Sequence, residues 1–176
     1  SGFYLNNLSA LSQLLKVKQQ QGKKVLLIGV TFALLDLAEQ YPQNLANLTL
    51  METGGMKGRR KEMVRPAVHQ ILQNAFQLPQ ITSEYGMTEL LSQAYSTGHG
   101  VFNPPPWMQF FIRQSDDPFT LAKPGKTGGL NVIDLANVES CAFIETQDLA
   151  RQKQPNQFAI MGRLDAADIR GCNLLV

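Results

Sequence analysis

Lys24-Val25-Leu26-Leu27-Ile28-Gly29-Val30-Thr31 is the stretch that decides the fold class. A continuous apolar run of strand length does not alternate between a wet and a dry side. It therefore predicts a strand buried on both faces, as parallel sheets require. Upstream, Leu8 to Gln20 sets Leu8, Leu11, Leu14, Leu15 and Val17 near helical spacing and stops before Gly22, which predicts an amphipathic helix. Downstream, Thr31 is the expected N-cap of a helix over Phe32 to Gln40, which Pro42 terminates. Leu48-Thr49-Leu50-Met51 predicts the next strand and runs into Gly54-Gly55. Pro66 suits the first turn of a helix ending near Phe76, and Ile81-Thr82-Ser83 reads as a further short strand. This alternation predicts a parallel α/β segment with right-handed crossovers over residues 1–97.

The pattern changes after Ser96. Gly98, Gly100 and Pro104-Pro105-Pro106 mark a loop, and Gly125, Gly128 and Gly129 mark a turn. Between and beyond them, Trp107 to Arg113, Leu130 to Leu135, Ser140 to Ile144 and Phe158 to Met161 are strand candidates with no helix pattern among them. Strands joined by Gly- and Pro-rich turns predict antiparallel pairing, so residues 98–176 are expected to form a small antiparallel β subdomain ending in a cysteine-bearing tail. The fold class expected is thus α/β, a parallel α/β segment followed by that subdomain. No internal repeat and no low-complexity tract is present.

The chain has 176 residues, 44% of them hydrophobic and 17% charged, a composition that supports a buried core. Its formal net charge of +2 argues against nucleic acid or an anionic membrane surface as partner, and only Lys57, Arg59, Arg60 and Lys61 cluster. No apolar run is long enough to cross a bilayer. Ser1-Gly2-Phe3-Tyr4-Leu5 lacks the pattern of a signal peptide and an initiator methionine, so a preceding segment is expected to be missing. Cys141 and Cys172 do not make a disulfide framework, and a cytoplasmic, reduced protein is the expectation.

Several groups can carry chemistry. Gly54-Gly55 follows a strand, where ligands of open α/β sheets bind, and glycines let a flat base or a phosphate approach the backbone; the same pair also serves as an ordinary turn. Ser83-Glu84-Tyr85-Gly86-Met87-Thr88-Glu89 also follows a strand end. It brings together a ring that can stack on a base, a clearing glycine, a hydroxyl for a phosphate oxygen, and a carboxylate for Mg²⁺. A turn with a capping threonine is the bland alternative. Asp148 can accept hydrogen bonds from the vicinal hydroxyls of a ribose, or can be a turn aspartate. Arg163, in Gly162-Arg163-Leu164-Asp165, can reach ribose or phosphate oxygens. Cys172 lies beside Arg170, which favours thiolate, although an inert thiol explains it equally. Cys141, among apolar neighbours, is expected in the core. His69 and His99 show no metal-ligand spacing; His69 is expected at the surface or in packing. There is no Ser-His-Asp elbow, no G-x-x-x-x-G-K-[ST] loop and no G-x-G-x-x-G after the first strand.

Taken in order, these pieces resemble the adenylate-forming superfamily of acyl-CoA synthetases and adenylation domains. The resemblance rests on Gly54-Gly55, Tyr85-Gly86-Met87-Thr88-Glu89, the segment Gly125 to Asp134, Asp148, and Gly162-Arg163-Leu164-Asp165. Within it, the chain resembles the C-terminal half of acyl-protein synthetases of the bioluminescence (LuxE) type. Glu52-Thr53-Gly54-Gly55-Met56-Lys57-Gly58, Ser83 to Leu90, Val132-Ile133-Asp134-Leu135-Ala136-Asn137, and the ending through Arg170-Gly171-Cys172 carry that likeness.

The resemblance implies that a fatty carboxylate attacks the α-phosphate of ATP, giving acyl-AMP and pyrophosphate, and that a cysteine thiolate then takes the acyl group as a thioester. It implies Tyr85 on adenine, with Gly54, Gly55 and Gly86 bordering the base, Thr88 on the α-phosphate, Glu89 on Mg²⁺, Asp148 and Arg163 on ribose, and Cys172 as acyl carrier. It implies a fatty or other carboxylic acid as substrate, an acyl reductase or acyl-carrier protein as partner, and no nucleic acid or membrane span. A homodimer through uncovered sheet surface is also expected. The Ser/Thr/Gly-rich phosphate loop of the superfamily is absent, which predicts that the chain alone is inactive. Two alternatives stand beside this reading: an aryl- or acyl-CoA ligase related to phenylacetate–CoA ligases, and a non-catalytic remnant that binds a nucleotide or a partner.

Overall fold

The computed structural model describes residues 2–56, 58–61 and 63–163. The chain divides into two units, Ser1–Thr82 and Ser83–Val176. The first runs α1 (Leu8–Gln20), β1 (Val25–Val30), α2 (Thr31–Gln40), β2 (Leu48–Thr53) and α3 (Arg65–Phe76). The Asn7 side chain caps α1 by accepting from the Ala10 amide at 2.9 Å. Proline in the first turn starts α3, and Gln77 in the left-handed region ends it. β1 and β2 pair in parallel, Val25 opposite Leu48 through to Val30 opposite Thr53. Leu11 and Leu15 of α1, Leu34, Leu35 and Leu37 of α2, Leu50 of β2, and Leu72 and Phe76 of α3 share one core.

Two expectations change here. Val25 and Leu27 of β1 pack on that core, but Leu26 and Ile28, of opposite parity, are 57% and 52% exposed. The helices of this unit thus cover one side of the strand, although its sequence reads as buried on both. Thr31 is the first residue of α2 rather than its cap; Val30 occupies the cap position without a side-chain bond. The Thr31 hydroxyl is used elsewhere, on Glu52. The basic cluster is partly absorbed by the fold. Arg60 is paired with Asp36 and Glu39, and Arg59 lies over the Phe32 ring, 5.2 Å from its centroid.

Among its described residues the second unit has strands and no α-helix. It contains β3 (Thr82–Tyr85), β4 (Ala94–Ser96), β5 (Val101–Phe102), β6 (Met108–Arg113), β7 (Thr127–Asp134), β8 (Phe143–Gln154) and β9 (Gln157–Arg163), with a 3₁₀ turn at Leu135–Asn137. β3 and β4 are antiparallel, Tyr85 facing Ala94. The rest form one antiparallel sheet in the order β5-β9-β8-β7-β6. Phe102, Phe110, Phe158, Leu130, Val132 and Ala150 make its core, with Phe110 and Phe158 edge to face at 5.3 Å.

Gly128 and Gly129 lie inside β7, not in a turn before it. A Cβ on Gly128 would overlap the Arg113 carbonyl, and one on Gly129 the Arg113 guanidinium. Their missing side chains let β6 and a buried arginine come close, the reason glycine is tolerated in a strand interior. Asp148 lies within β8 rather than after a strand. Cys141 is exposed rather than in the core, because it sits ahead of β8 in the connection from the 3₁₀ turn.

Candidate functional site

Tyr85 ends β3 and is buried, 8% exposed. Its ring meets Phe110 edge-on, with centroids 5.7 Å apart, and Phe102 at 6.2 Å. Its hydroxyl donates to Asp148 Oδ2 at 2.6 Å, a short bond of the charge-assisted kind. Burial, then the Asp148 charge and that bond, push the phenol well above its ordinary pKa. The hydroxyl is therefore a fixed donor.

Asp148 reaches this position through a bulge. In the β7–β8 ladder Gly129 faces Leu149 and Asn131 faces Glu145, so Leu130 alone stands against Thr146, Gln147 and Asp148. Extra residues in one strand bend it and re-aim its side chains. The bulge is held from inside. The Thr146 hydroxyl donates to the Leu130 carbonyl at 2.8 Å and accepts from the Asp148 amide at 3.1 Å. Arg113, 5% exposed, donates from Nη2 to the Thr146 carbonyl at 3.1 Å and from Nε to Glu145 at 3.1 Å. Arg163 stands opposite Asp148 in β9, its Nε 4.0 Å from Asp148 Oδ1. The fold thus brings Tyr85, Asp148 and Arg163 together from β3, β8 and β9. Asp148 and Arg163 keep part of their surface open: their side chains are 18% and 39% exposed.

The loop after Tyr85 is fastened by residues of β7 and the 3₁₀ turn. Asp134 is fully buried. Its Oδ2 accepts from the Leu91 and Ser92 amides at 3.0 and 2.9 Å, and its Oδ1 from the Ser92 hydroxyl and the Ala136 amide at 2.7 and 3.1 Å. Burial pushes its carboxyl up, but the Ser92 hydroxyl and the three amides outweigh burial and hold it below the usual carboxylate range. Asn137 Nδ2 donates to the Glu89 carbonyl at 2.7 Å and the Cys141 carbonyl at 2.9 Å. The Trp107 indole donates to the Ser92 hydroxyl at 2.9 Å. Gly86, Thr88 and Glu89 are exposed on this anchored loop.

Gly54 and Gly55 belong to the first unit, where they follow β2, Gly54 at φ 74°. The Gly54 carbonyl accepts from the Thr31 hydroxyl at 3.1 Å. The same hydroxyl lies 2.9 Å from Glu52 Oε2. Glu52, 3% exposed, is met on Oε1 by Arg65 Nε at 3.0 Å and His69 Nε2 at 3.5 Å. His69 is correspondingly buried. A carboxylate in a core is tolerated only when paired and hydrogen-bonded in this way.

Cys172, with Leu164, Asp165, Arg170 and Gly171, lies outside the described residues. His99 is exposed, at φ 56°. Among the described residues no three His, Cys, Asp or Glu side chains group as a metal site, and no helix is long and apolar enough to cross a membrane. Sequence reasoning gave Asp134, Asn137, Glu52 and Arg113 no role. Strand parity carried a signal for two of them. Asp134 continues the buried series Leu130, Val132, and Glu52 continues Leu48, Leu50, so each places a carboxylate on a core-facing position. Arg113 follows the buried Ile112 directly and breaks parity, so no such signal marks it.

No protein-family profile and no curated protein matches the chain. Solved structures do. ATP-bound MatB from Rhodopseudomonas palustris superposes with a TM-score of 0.64 at 14% identity, over 89% of this chain and 33% of MatB. McyG A-PCP complexed with phenylalanyl-adenylate gives 0.58 at 19% identity, over 90% and 34%. The coronafacic acid ligase of Pectobacterium brasiliense gives 0.62 at 13% identity, over 89% and 32%. The fold is that found within adenylate-forming enzymes. The chain spans about a third of the length of these enzymes. At these identities the likeness concerns fold, and the LuxE-type resemblance is a finer statement than it supports.

Proposed function

We propose that this chain is the nucleotide-binding part of an ATP-dependent, acid-activating ligase. The observation that carries the reading is the convergence of Tyr85, Asp148 and Arg163 within a fold shared with ATP-bound and adenylate-bound enzymes. Asp148, acceptor-only when ionised, suits the two donors of a ribose diol. Arg163 beside it offers donors to ribose or phosphate oxygens. Thr88 takes the α-phosphate from the loop that Asp134 and Asn137 anchor.

Glu89 fits Mg²⁺. That ion is commonly held by one or two carboxylates, with waters and substrate phosphates completing its shell, and Glu89 is an exposed carboxylate on a loop pinned at its own carbonyl. When bound, Mg²⁺ would offset charge on the phosphate oxygens. The reaction is attack of a carboxylate oxygen on the α-phosphorus, forming the acyl–phosphate bond and releasing pyrophosphate. In the finer reading, an acyl-protein synthetase, the Cys172 thiolate then attacks the acyl carbonyl. The carbon–oxygen bond to AMP breaks, and AMP leaves with its electron pair. A fatty acid is the substrate of that reading, and an acyl reductase or acyl-carrier protein receives the product.

The test is ATP–pyrophosphate exchange, with a fatty acid, by the protein expressed from its complete coding sequence. Asp148→Ala should lower the exchange rate about 10–100-fold, the loss of a charge-assisted hydrogen bond in the site, and Glu89→Gln, which takes a carboxylate ligand from Mg²⁺, should lower it as well. Unchanged exchange in either variant overturns the assignment. Radioactive fatty acid retained by the wild type and lost in Cys172→Ser supports the protein-thioester step.

A further inference from the structure

We propose that Tyr85 is a positioning residue, and that its hydroxyl fixes the Asp148 carboxylate that receives the ribose. This rests on the nucleotide-site reading above and assigns the selectivity for a 2′-hydroxyl to a residue that need not touch the sugar.

The geometry divides the carboxylate into two ends. Oδ2 is taken by the Tyr85 hydroxyl at 2.6 Å, on the buried side. Oδ1 is the oxygen nearest Arg163, at 4.0 Å, and the Asp148 and Arg163 side chains are 18% and 39% exposed. A diol needs two acceptor positions at a set spacing, and a carboxylate offers about four lone-pair sites, so one bond to Tyr85 leaves enough. What that bond supplies is orientation. An aspartate on a bulge otherwise turns freely about its side-chain torsions, and freezing it before the nucleotide arrives removes that cost from binding.

The ring itself is set. Phe102 and Phe110 meet it edge-on, and the residue is 8% exposed. A phenol buried this deeply is favourable only where its O–H finds a partner, and Asp148 supplies it. The partner is placed in turn by the Thr146 hydroxyl on the Asp148 amide and by Arg113 on the Thr146 carbonyl. All of these residues belong to the second unit.

Stacking and positioning make opposite predictions for one substitution. Stacking needs only the ring, which Tyr85→Phe keeps; positioning needs the hydroxyl, which it removes. The experiment measures Kd for ATP and for 2′-deoxy-ATP on the protein from its complete coding sequence. Wild type should prefer ATP. Tyr85→Phe should weaken ATP about 10-fold and move the ATP to 2′-deoxy-ATP ratio toward that of Asp148→Ala, with KM for the carboxylic acid unchanged. Adding Tyr85→Phe to Asp148→Ala should change the ratio no further.

A Tyr85→Phe protein with the wild-type ratio overturns the positioning role while leaving the nucleotide site standing. A wild type that binds neither nucleotide, or does not distinguish them whether or not Asp148 is present, overturns both. A second measurement needs no variant of Tyr85. In wild-type protein the Tyr85 hydroxyl proton should give a slowly exchanging, downfield NMR signal that shifts on adding ATP. A signal that ATP leaves unmoved refutes the proposal even if the phenylalanine variant fails to fold.

Discussion

Asp134→Asn keeps the shape of a fully buried side chain and removes its charge, so its cost can be worked from the bonds it makes. In the cheaper orientation the remaining carbonyl oxygen faces the Leu91 and Ser92 amides. Those two bonds lose charge assistance, about 1 kcal/mol each. The new amide then faces the Ser92 hydroxyl, which can accept from it. It also faces the Ala136 amide, which loses its acceptor at about 1 kcal/mol, the low end because Ala136 is exposed to water. The Ser92 hydroxyl proton also loses its acceptor, about 1 kcal/mol, so the total is about 4 kcal/mol against the second unit. Trp107 is the single tryptophan and its indole bonds to Ser92, so urea unfolding followed by its fluorescence reads this node directly. The pH dependence has a definite sign. The folded carboxyl of Asp134 is held below its unfolded value, so its stabilisation is complete above about pH 4 and is lost as pH falls through the folded pKa. The gap between wild type and Asp134→Asn should therefore be widest near neutrality and narrow below about pH 4. A variant within about 0.5 kcal/mol of wild type at pH 7, or a gap that widens in acid, refutes the reasoning.

Gly128→Ala sets a Cβ against the Arg113 backbone carbonyl, which cannot rotate away, so β6 and β7 must separate. A loss of about 3 kcal/mol or more in urea stability is expected, against about 1 kcal/mol for Gly125→Ala, where φ is 79° but the space is open. Equal effects would contradict the close-approach account. Thr31→Val removes the donor shared by Glu52 Oε2 and the Gly54 carbonyl while keeping the volume of the side chain. It should destabilise the first unit by about 1–2 kcal/mol and speed hydrogen exchange at the Gly54 and Gly55 amides; unchanged exchange there would show that the turn does not depend on Thr31.

The helices were legible because each has a local cause. Leucine spacing carries α1, Pro42 stops α2, and Pro66 opens α3. The strand β6 was legible as a run of apolar residues between a proline loop and a charged turn. β8 was not. Its last two thirds, Gln147-Asp148-Leu149-Ala150-Arg151-Gln152-Lys153-Gln154, are mostly polar, and the bulge shifts the parity by which a half-buried strand is recognised. β4 and β5 are too short to leave a pattern; their partners on β3 and β9 define them. The site divides the same way. Tyr85, Asp148 and Arg163 could be named as candidates from residue type and order. That Tyr85 bonds to Asp148 could not, because it depends on how far a bulge turns one side chain.

That bulge also explains why the glycines of β7 and the arginine of β6 belong with the candidate site rather than with the core alone. Opening a ladder frees backbone groups that must find partners. Here the Thr146 carbonyl, inside the bulge, is taken by Arg113 Nη2, and the Leu130 carbonyl by the Thr146 hydroxyl. Arg113 can lie under the sheet only because Gly129 has no side chain. A small residue in one strand, a buried cation from a second and a two-residue excess in a third thus act together to aim one carboxylate. Replacing any one of them disturbs the aim of Asp148 without touching it. The orientation of the Asp148 carboxylate is therefore a property of the sheet's packing as much as of the residue that bears it.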